Sequence, residues 1–193
     1  SLGLVGSEMC IRDSIWEAWP KQPENPALEG NTWAPDVIWN DVMRKWCMYL
    51  SVNGHEFRSV IVLLTADRLD GDWTYVGPVV YSGFNVDNVG RTDVPRVLGD
   101  EAAHGDLSRY ASLKDTRINA IDAAPIRCDH GELWMSFGSW FGGIWMFKLD
   151  PKTGLRDYST TYQTVKNQSD AYYGIKLGGG FGNSGEGSYL LHT

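Results

Sequence analysis

The chain has 193 residues, 42% of them hydrophobic and 21% charged, with 22 Gly, 9 Trp and 9 Tyr. That is ample apolar material for a packed core, which excludes a disordered or fibrous chain. A net charge of −7 argues against nucleic acid as a partner, and no apolar run approaches the ~20 residues of a membrane-spanning helix.

The first segment reads as foreign. Val5-Gly6-Ser7-Glu8-Met9-Cys10-Ile11-Arg12-Asp13 back-translates, codon by codon, to a transposon adapter used in sequencing-library preparation. Residues 1–14 are therefore expected to be adapter-derived and 15–193 to be natural sequence. On this reading the chain is a fragment, truncated at both ends, whose signal peptide is not visible. Setting Cys10 aside leaves Cys47 and Cys128, far apart and without nearby His or Cys. Buried free thiols are the expectation, with a disulfide as the alternative; a zinc site is not suggested.

After the Pro-rich stretch 19–26 the pattern is one of short strands. These are predicted at 35–39, 45–52, 59–66 and 73–76, with turn signals at Asn40-Asp41, Asn53-Gly54 and Asp70-Gly71-Asp72. Asn53-Gly54 is of the two-residue hairpin kind. The stretch 79–118 is richer in charge and Gly, and reads as a long insertion over one face. A second set of strands follows at 124–128, 133–138, 143–149 and 158–164, with turns at 129–131 and 150–154. A third set opens at 187–191. Four-stranded units that recur without a helical period predict an all-β fold, a β-propeller.

The blades give three acidic groups a shared address. Asp36, Asp122 and Glu186 each lie in or just before the first strand of a unit, the strand that lines a propeller's axis. They are expected to converge on one cavity. Paired carboxylates in aromatic-rich β surroundings are the machinery of glycosidic bond cleavage, in which one group protonates the departing sugar oxygen. Each has a bland alternative. Glu186, bracketed by Gly185 and Gly187, could be a surface residue of a flexible loop. Asp122, in an apolar run, could be a structural Asp satisfied by backbone amides, and Asp36 could cap a turn after Pro35. Trp140 and Phe141 stand in a Gly-flanked loop, as sugar platforms or as core. His55, His104 and His130 fall in turns and read as surface residues, so no metal ligand is assigned.

Four motifs carry a resemblance: Trp33-Ala34-Pro35-Asp36, Asn119-Ala120-Ile121-Asp122, the run from Trp134 to Ile144, and Ser184-Gly185-Glu186-Gly187-Ser188-Tyr189. Together they resemble glycoside hydrolase family 43, and within it the endo-α-1,5-L-arabinanases, over about residues 31–193. The resemblance implies a five-bladed β-propeller, of which this chain holds an incomplete set of blades, and cleavage with inversion. It implies that Glu186 is the general acid and that Asp122 adjusts the acid's pKa and helps orient substrate. Substrate contacts are then expected from Trp33, Asp36, Asn119, Ser139 and Trp140. The family's general base lies upstream of the Trp-Ala-Pro-Asp motif, so the fragment is expected to lack it and to be inactive. A central metal ion, calcium, is implied on a His-bearing blade beyond this chain, so no cofactor is expected in the fragment. One departure stands out: the family has Pro directly after the Asp, whereas here Ala123-Ala124-Pro125 follows Asp122, which alters strand entry.

The implied substrate is plant cell-wall arabinan or arabino-oligosaccharides, and the intact protein is expected to be secreted or cell-surface. Two alternatives remain open: an exo-acting α-L-arabinofuranosidase or β-xylosidase of the same family, and a non-catalytic carbohydrate-binding propeller.

Overall fold

The computed structural model describes residues 31–54, 57–84, 87–99, 117–165, 169–180 and 185–191. Residues 1–14, Ser184, His55 and His104, on which expectations were placed above, lie outside that set. Among the described residues two antiparallel sheets make up the structure, with little helix, so the all-β expectation holds.

The first sheet contains β1 (Asn31–Asn40), β2 (Lys45–Asn53), β3 (Ser59–Ala66) and β4 (Thr74–Tyr81), side by side in chain order. β3 reads Ser-Val-Ile-Val-Leu-Leu-Thr-Ala and is buried at every position, the signature of a strand covered on both faces. β2 instead alternates: Cys47, Tyr49 and Ser51 point inward, while Trp46, Met48 and Leu50 are half-buried. Two expectations need correcting here. The fourth strand runs to Tyr81 rather than 76, because Val79, Val80 and Tyr81 bury against the core. Asn53-Gly54 is not a two-residue hairpin turn; β2 and β3 are joined by a longer loop that Gly54 closes with a 2.7 Å hydrogen bond from its N–H to the Arg58 carbonyl. A Cβ at residue 54 would sit 2.4 Å from that oxygen, so glycine is required.

The second sheet contains β5 (Ala124–Arg127), β6 (Leu133–Ser139), β7 (Gly143–Leu149), β8 (Ser169–Asp170) and β9 (Gly174–Gly178), ordered β5-β6-β7-β9-β8. The strand expected at 158–164 does not form. Instead Tyr158 and Tyr162 are anchored by their hydroxyls, to Asp93 at 3.2 Å and to the Lys148 N–H at 2.9 Å. Asp157 accepts from Ser159 and Thr160 in a local turn, which competes with a ladder. The place beside β7 is taken by β9. Residues 187–191, expected to open a third unit, are described without strand structure.

Between the sheets in the chain, the described residues of the stretch read as an insertion include a 3-10 turn, Val89–Arg91, and a short helix, α1 (Val94–Leu98). The sheets share one core: Tyr49, Leu63, Val80 and Phe84 from one side meet Phe137, Phe147, Tyr172 and Tyr173 from the other. Phe84 meets Tyr172 edge-on, with ring centroids 5.6 Å apart. The turn at 150–154 forms as expected and seats against the first sheet. Tyr49 donates its hydroxyl to the Gly154 carbonyl at 2.7 Å, and Asn40 donates to the Pro151 carbonyl at 2.9 Å.

A buried polar knot completes the join. Arg156, only 3% exposed, lies over the Phe147 ring at 4.0 Å and donates to the Tyr172 carbonyl at 2.9 Å. Its Nε stands 3.4 Å from Asp93, which also accepts the Tyr172 hydroxyl at 2.5 Å. Cys47 and Cys128 are both free; Cys47 is buried, which pushes its thiol up to about 11, whereas Cys128 is only half-buried. No helix among the described residues is long and apolar enough to cross a membrane.

Candidate active site

The segment 118–122 reaches the second sheet without belonging to a strand, so its backbone groups need partners from elsewhere. The Ala120 N–H finds Ser82 Oγ at 2.8 Å, and the Asp122 N–H finds Ser51 Oγ at 3.0 Å. The Asn119 side chain lies 2.6 Å from Ser59 Oγ, and the Ile121 carbonyl accepts the Gly138 N–H at 2.9 Å. Gly142 leaves the segment its room: a Cβ there would fall 2.4 Å from Ile118 Cα. Held this way, Asp122 adopts a left-handed backbone with φ of 55°, a strained conformation for a residue with a Cβ.

The Asp122 carboxylate accepts the Gly187 N–H at 3.2 Å, which brings the Asp122 and Glu186 segments together. Burial raises the Asp122 pKa above its ordinary 3.8; the Gly187 N–H opposes that rise and the neighbouring Glu186 charge adds to it. Glu186 itself is exposed. Ser136, buried on β6, is 2.9 Å from the hydroxyl of Ser188, two residues past Glu186.

Both carboxylates line one cleft of about 610 Å³, a volume in the range of small-molecule sites. Trp33, Asn119 and Ser139, all expected as substrate contacts, line it as well. Trp33 offers an exposed ring, and Ser139 a hydroxyl that is 1% exposed and has no hydrogen-bond partner among the described residues.

Two expected residues are not among the cleft's walls. Asp36 follows a bulge between Trp33 and Asp36, and its Oδ1 accepts the N–H of Val37 at 2.7 Å. Burial raises its pKa while that bond lowers it. At that bulge, inside β1, Ala34 has a left-handed backbone with φ of 45°, and Ala34 does line the cleft. The expected convergence of three acids is thus a convergence of two. Trp140 is exposed but leaves the wall to its neighbour Phe141. Sequence reasoning missed Phe57, which packs edge-on against Phe141 at 5.0 Å and also lines the cleft. Reading Asn53-Gly54 as a tight turn removed the loop that carries Phe57. The central metal implied by the resemblance finds no cluster of His, Cys, Asp and Glu to hold it among the described residues.

Against known proteins, no family model matches the chain. It is 32% identical over 161 residues to an extracellular endo-α-(1→5)-L-arabinanase of Thermotoga petrophila, covering 83% of this chain and 29% of that protein. The crystal structure of the endo-1,5-α-L-arabinanase from the same organism superposes with a TM-score of 0.59 at 30% identity, over 84% of this chain and 30% of the other. A family 43 glycoside hydrolase of Bacillus licheniformis superposes with a TM-score of 0.53 at 27% identity, over 79% and 28%. This chain is related to glycoside hydrolase family 43. An extracellular exo-α-(1→5)-L-arabinofuranosidase of Cellvibrio japonicus is also similar, 30% identical over 138 residues that cover 68% of this chain and 30% of that protein. The chain spans 29% of the length of the Thermotoga petrophila relative and 28% of the Bacillus licheniformis structure named above.

Proposed function

We propose that the protein carrying this chain is an extracellular inverting hydrolase of α-1,5-linked L-arabinan, and that its two sheets are successive blades of a five-bladed propeller. The observation that supports this best is the cleft in which Asp122 and Glu186 stand beside the exposed ring of Trp33. Glu186 is assigned as the acid that gives its proton to the departing glycosidic oxygen, and Asp122 as the carboxylate beside it that helps orient the sugar. Trp33 and Phe141 would stack on furanose faces, while Asn119 and Ser139 would take sugar hydroxyls. Inversion needs a second carboxylate, about 6.5–9.5 Å from the acid, to activate water on the opposite face of the sugar. We place that base outside residues 31–193.

The test is release of reducing ends from debranched arabinan. The complete protein is expected to produce a ladder of oligosaccharides and the 193-residue chain to produce nothing. Turnover by the chain alone would overturn the placement of the base, and inactivity of the complete protein on arabinan would overturn the substrate. The Cellvibrio relative favours a second reading, exo action, for which the same assay would yield only one short product.

A further inference from the structure

We propose that Ser51 is a positioning residue for Asp122, holding from the neighbouring sheet the backbone that aims this carboxylate at Gly187 and Glu186. The inference rests on the reading above only in giving Asp122 a role in catalysis. Its structural basis is a set of three serines, Ser51, Ser59 and Ser82, each wholly buried on the first sheet's side. A buried hydroxyl is unfavourable unless it is paired, and an apolar residue would fill a β core more cheaply. Here all three reach one short segment: Ser59 Oγ lies 2.6 Å from the Asn119 side chain and from that of Asn53, Ser82 Oγ accepts the Ala120 N–H while donating to the Phe57 carbonyl, and Ser51 Oγ accepts the Asp122 N–H.

The geometry explains why a hydroxyl is needed at residue 51. Asp122 has a left-handed backbone, and its N–H has no strand to bond to. A buried N–H without a partner would release the segment toward water. Ser51 Oγ accepts that N–H at 3.0 Å, while the Gly187 N–H donates to the carboxylate at 3.2 Å. The residue is thus held at both ends, by two different parts of the chain.

A comparison within the molecule isolates the role. Ser51 and Ser139 each stand five residues past a tryptophan, Trp46 on β2 and Trp134 on β6. The residues two before them, Tyr49 and Phe137, are both fully buried. The Ser139 hydroxyl at the cleft has no partner among the described residues, whereas Ser51 Oγ accepts the Asp122 N–H. The same place in the two sheets serves the ligand side in one case and the protein side in the other.

The experiment follows the Asp122 carboxyl by carbon-13 NMR through a pH titration of the 193-residue chain. The chain is compared with Ser51→Ala, Ser51→Thr and Ser82→Ala, and the samples are also titrated with arabinotriose. Ser51→Ala is expected to move the Asp122 midpoint down toward 3.8 as the carboxylate turns to water, with Ser51→Thr restoring it and Ser82→Ala giving a smaller shift. An unchanged midpoint in Ser51→Ala overturns the proposal. Should that variant not fold, amide hydrogen exchange in the unaltered chain decides: slow exchange at Asp122 supports the bond to Ser51, and exchange as fast as in an open loop overturns it. Failure to bind arabinotriose, with the titration shifts intact, counts against the sugar reading alone. Binding with no effect of Ser51→Ala counts against the positioning role alone.

Discussion

The two sheets are built differently. The first is four long strands, none shorter than 8 residues, laid down in chain order. The second begins with a strand of 4 residues, admits one of 2 at its edge, and reverses its last two strands. β3 is buried at every position and β2 buries Cys47, Tyr49, Ser51 and Val52, so the middle of the first sheet can hold hydroxyls away from water, whereas residues 32–35 of β1 are exposed. The second sheet is interrupted where the cleft opens, and there stand Asp122, Glu186 and the Ser139 hydroxyl, which has no partner among the described residues. The lesson is a division of labour: a rigid platform fixes backbone, and an irregular neighbour presents chemistry.

The comparison breaks most visibly at the cleft. Replacing the proposed acid, Glu186→Gln, should lower arabinan hydrolysis by the complete protein by about 10²–10⁴-fold. The midpoint of unfolding should not move, because the side chain is exposed. A loss of folding together with activity would mean that Glu186 supports structure instead.

Next comes the knot between the sheets. Arg156→Ala would leave Asp93, largely buried, without its cationic neighbour, and should cost about 3–5 kcal/mol of stability in urea unfolding. A loss below about 1 kcal/mol would show that the sheets are joined by apolar contact alone.

A smaller effect is expected at the seat of the 150–154 turn. Tyr49→Phe keeps the ring but strands the Gly154 carbonyl, at a cost of about 1–3 kcal/mol. Arabinan hydrolysis should persist, since this residue is not among those lining the cleft. Equal losses of stability and rate would show that the platform and the cleft are not separable.

How far the sequence could be read follows the same division. In the first sheet the strand at 59–66 was legible residue for residue, because an unbroken apolar run bounded by polar turns has few alternatives. The Asp122 and Glu186 segments were expected to meet, and the Gly187 N–H to Asp122 hydrogen bond joins them, although the strand expected at 187–191 does not form. The place of Asp36 was not legible, because a bulge after Trp33 shifts the register by an amount that no residue pattern states, and Ala34 takes the cleft position instead. The strand expected at 158–164 carries the right composition, yet tyrosine hydroxyls and an Asp157 turn hold it elsewhere; those are tertiary partners, invisible from local pattern. Phe57 was hidden by a turn signal that proved to be the mouth of a longer loop. Ser51 gave no signal at all, since a serine in an alternating strand is ordinary until its partner is known.

The central claim, that Asp122 and Glu186 act on each other across one cleft, also has an electrostatic consequence. Asp122 binds its proton more tightly in the folded chain than in the unfolded one. It therefore favours the fold below the ordinary pKa of 3.8, and that contribution is lost as pH rises through the folded midpoint. The most direct test is the carbon-13 titration of the Asp122 carboxyl in the unaltered chain and in Glu186→Gln. A midpoint above 3.8 that falls when the neighbouring charge is removed is the predicted result. The same midpoint in both chains would contradict the account, because the Asp122 carboxyl would then not sense the Glu186 charge.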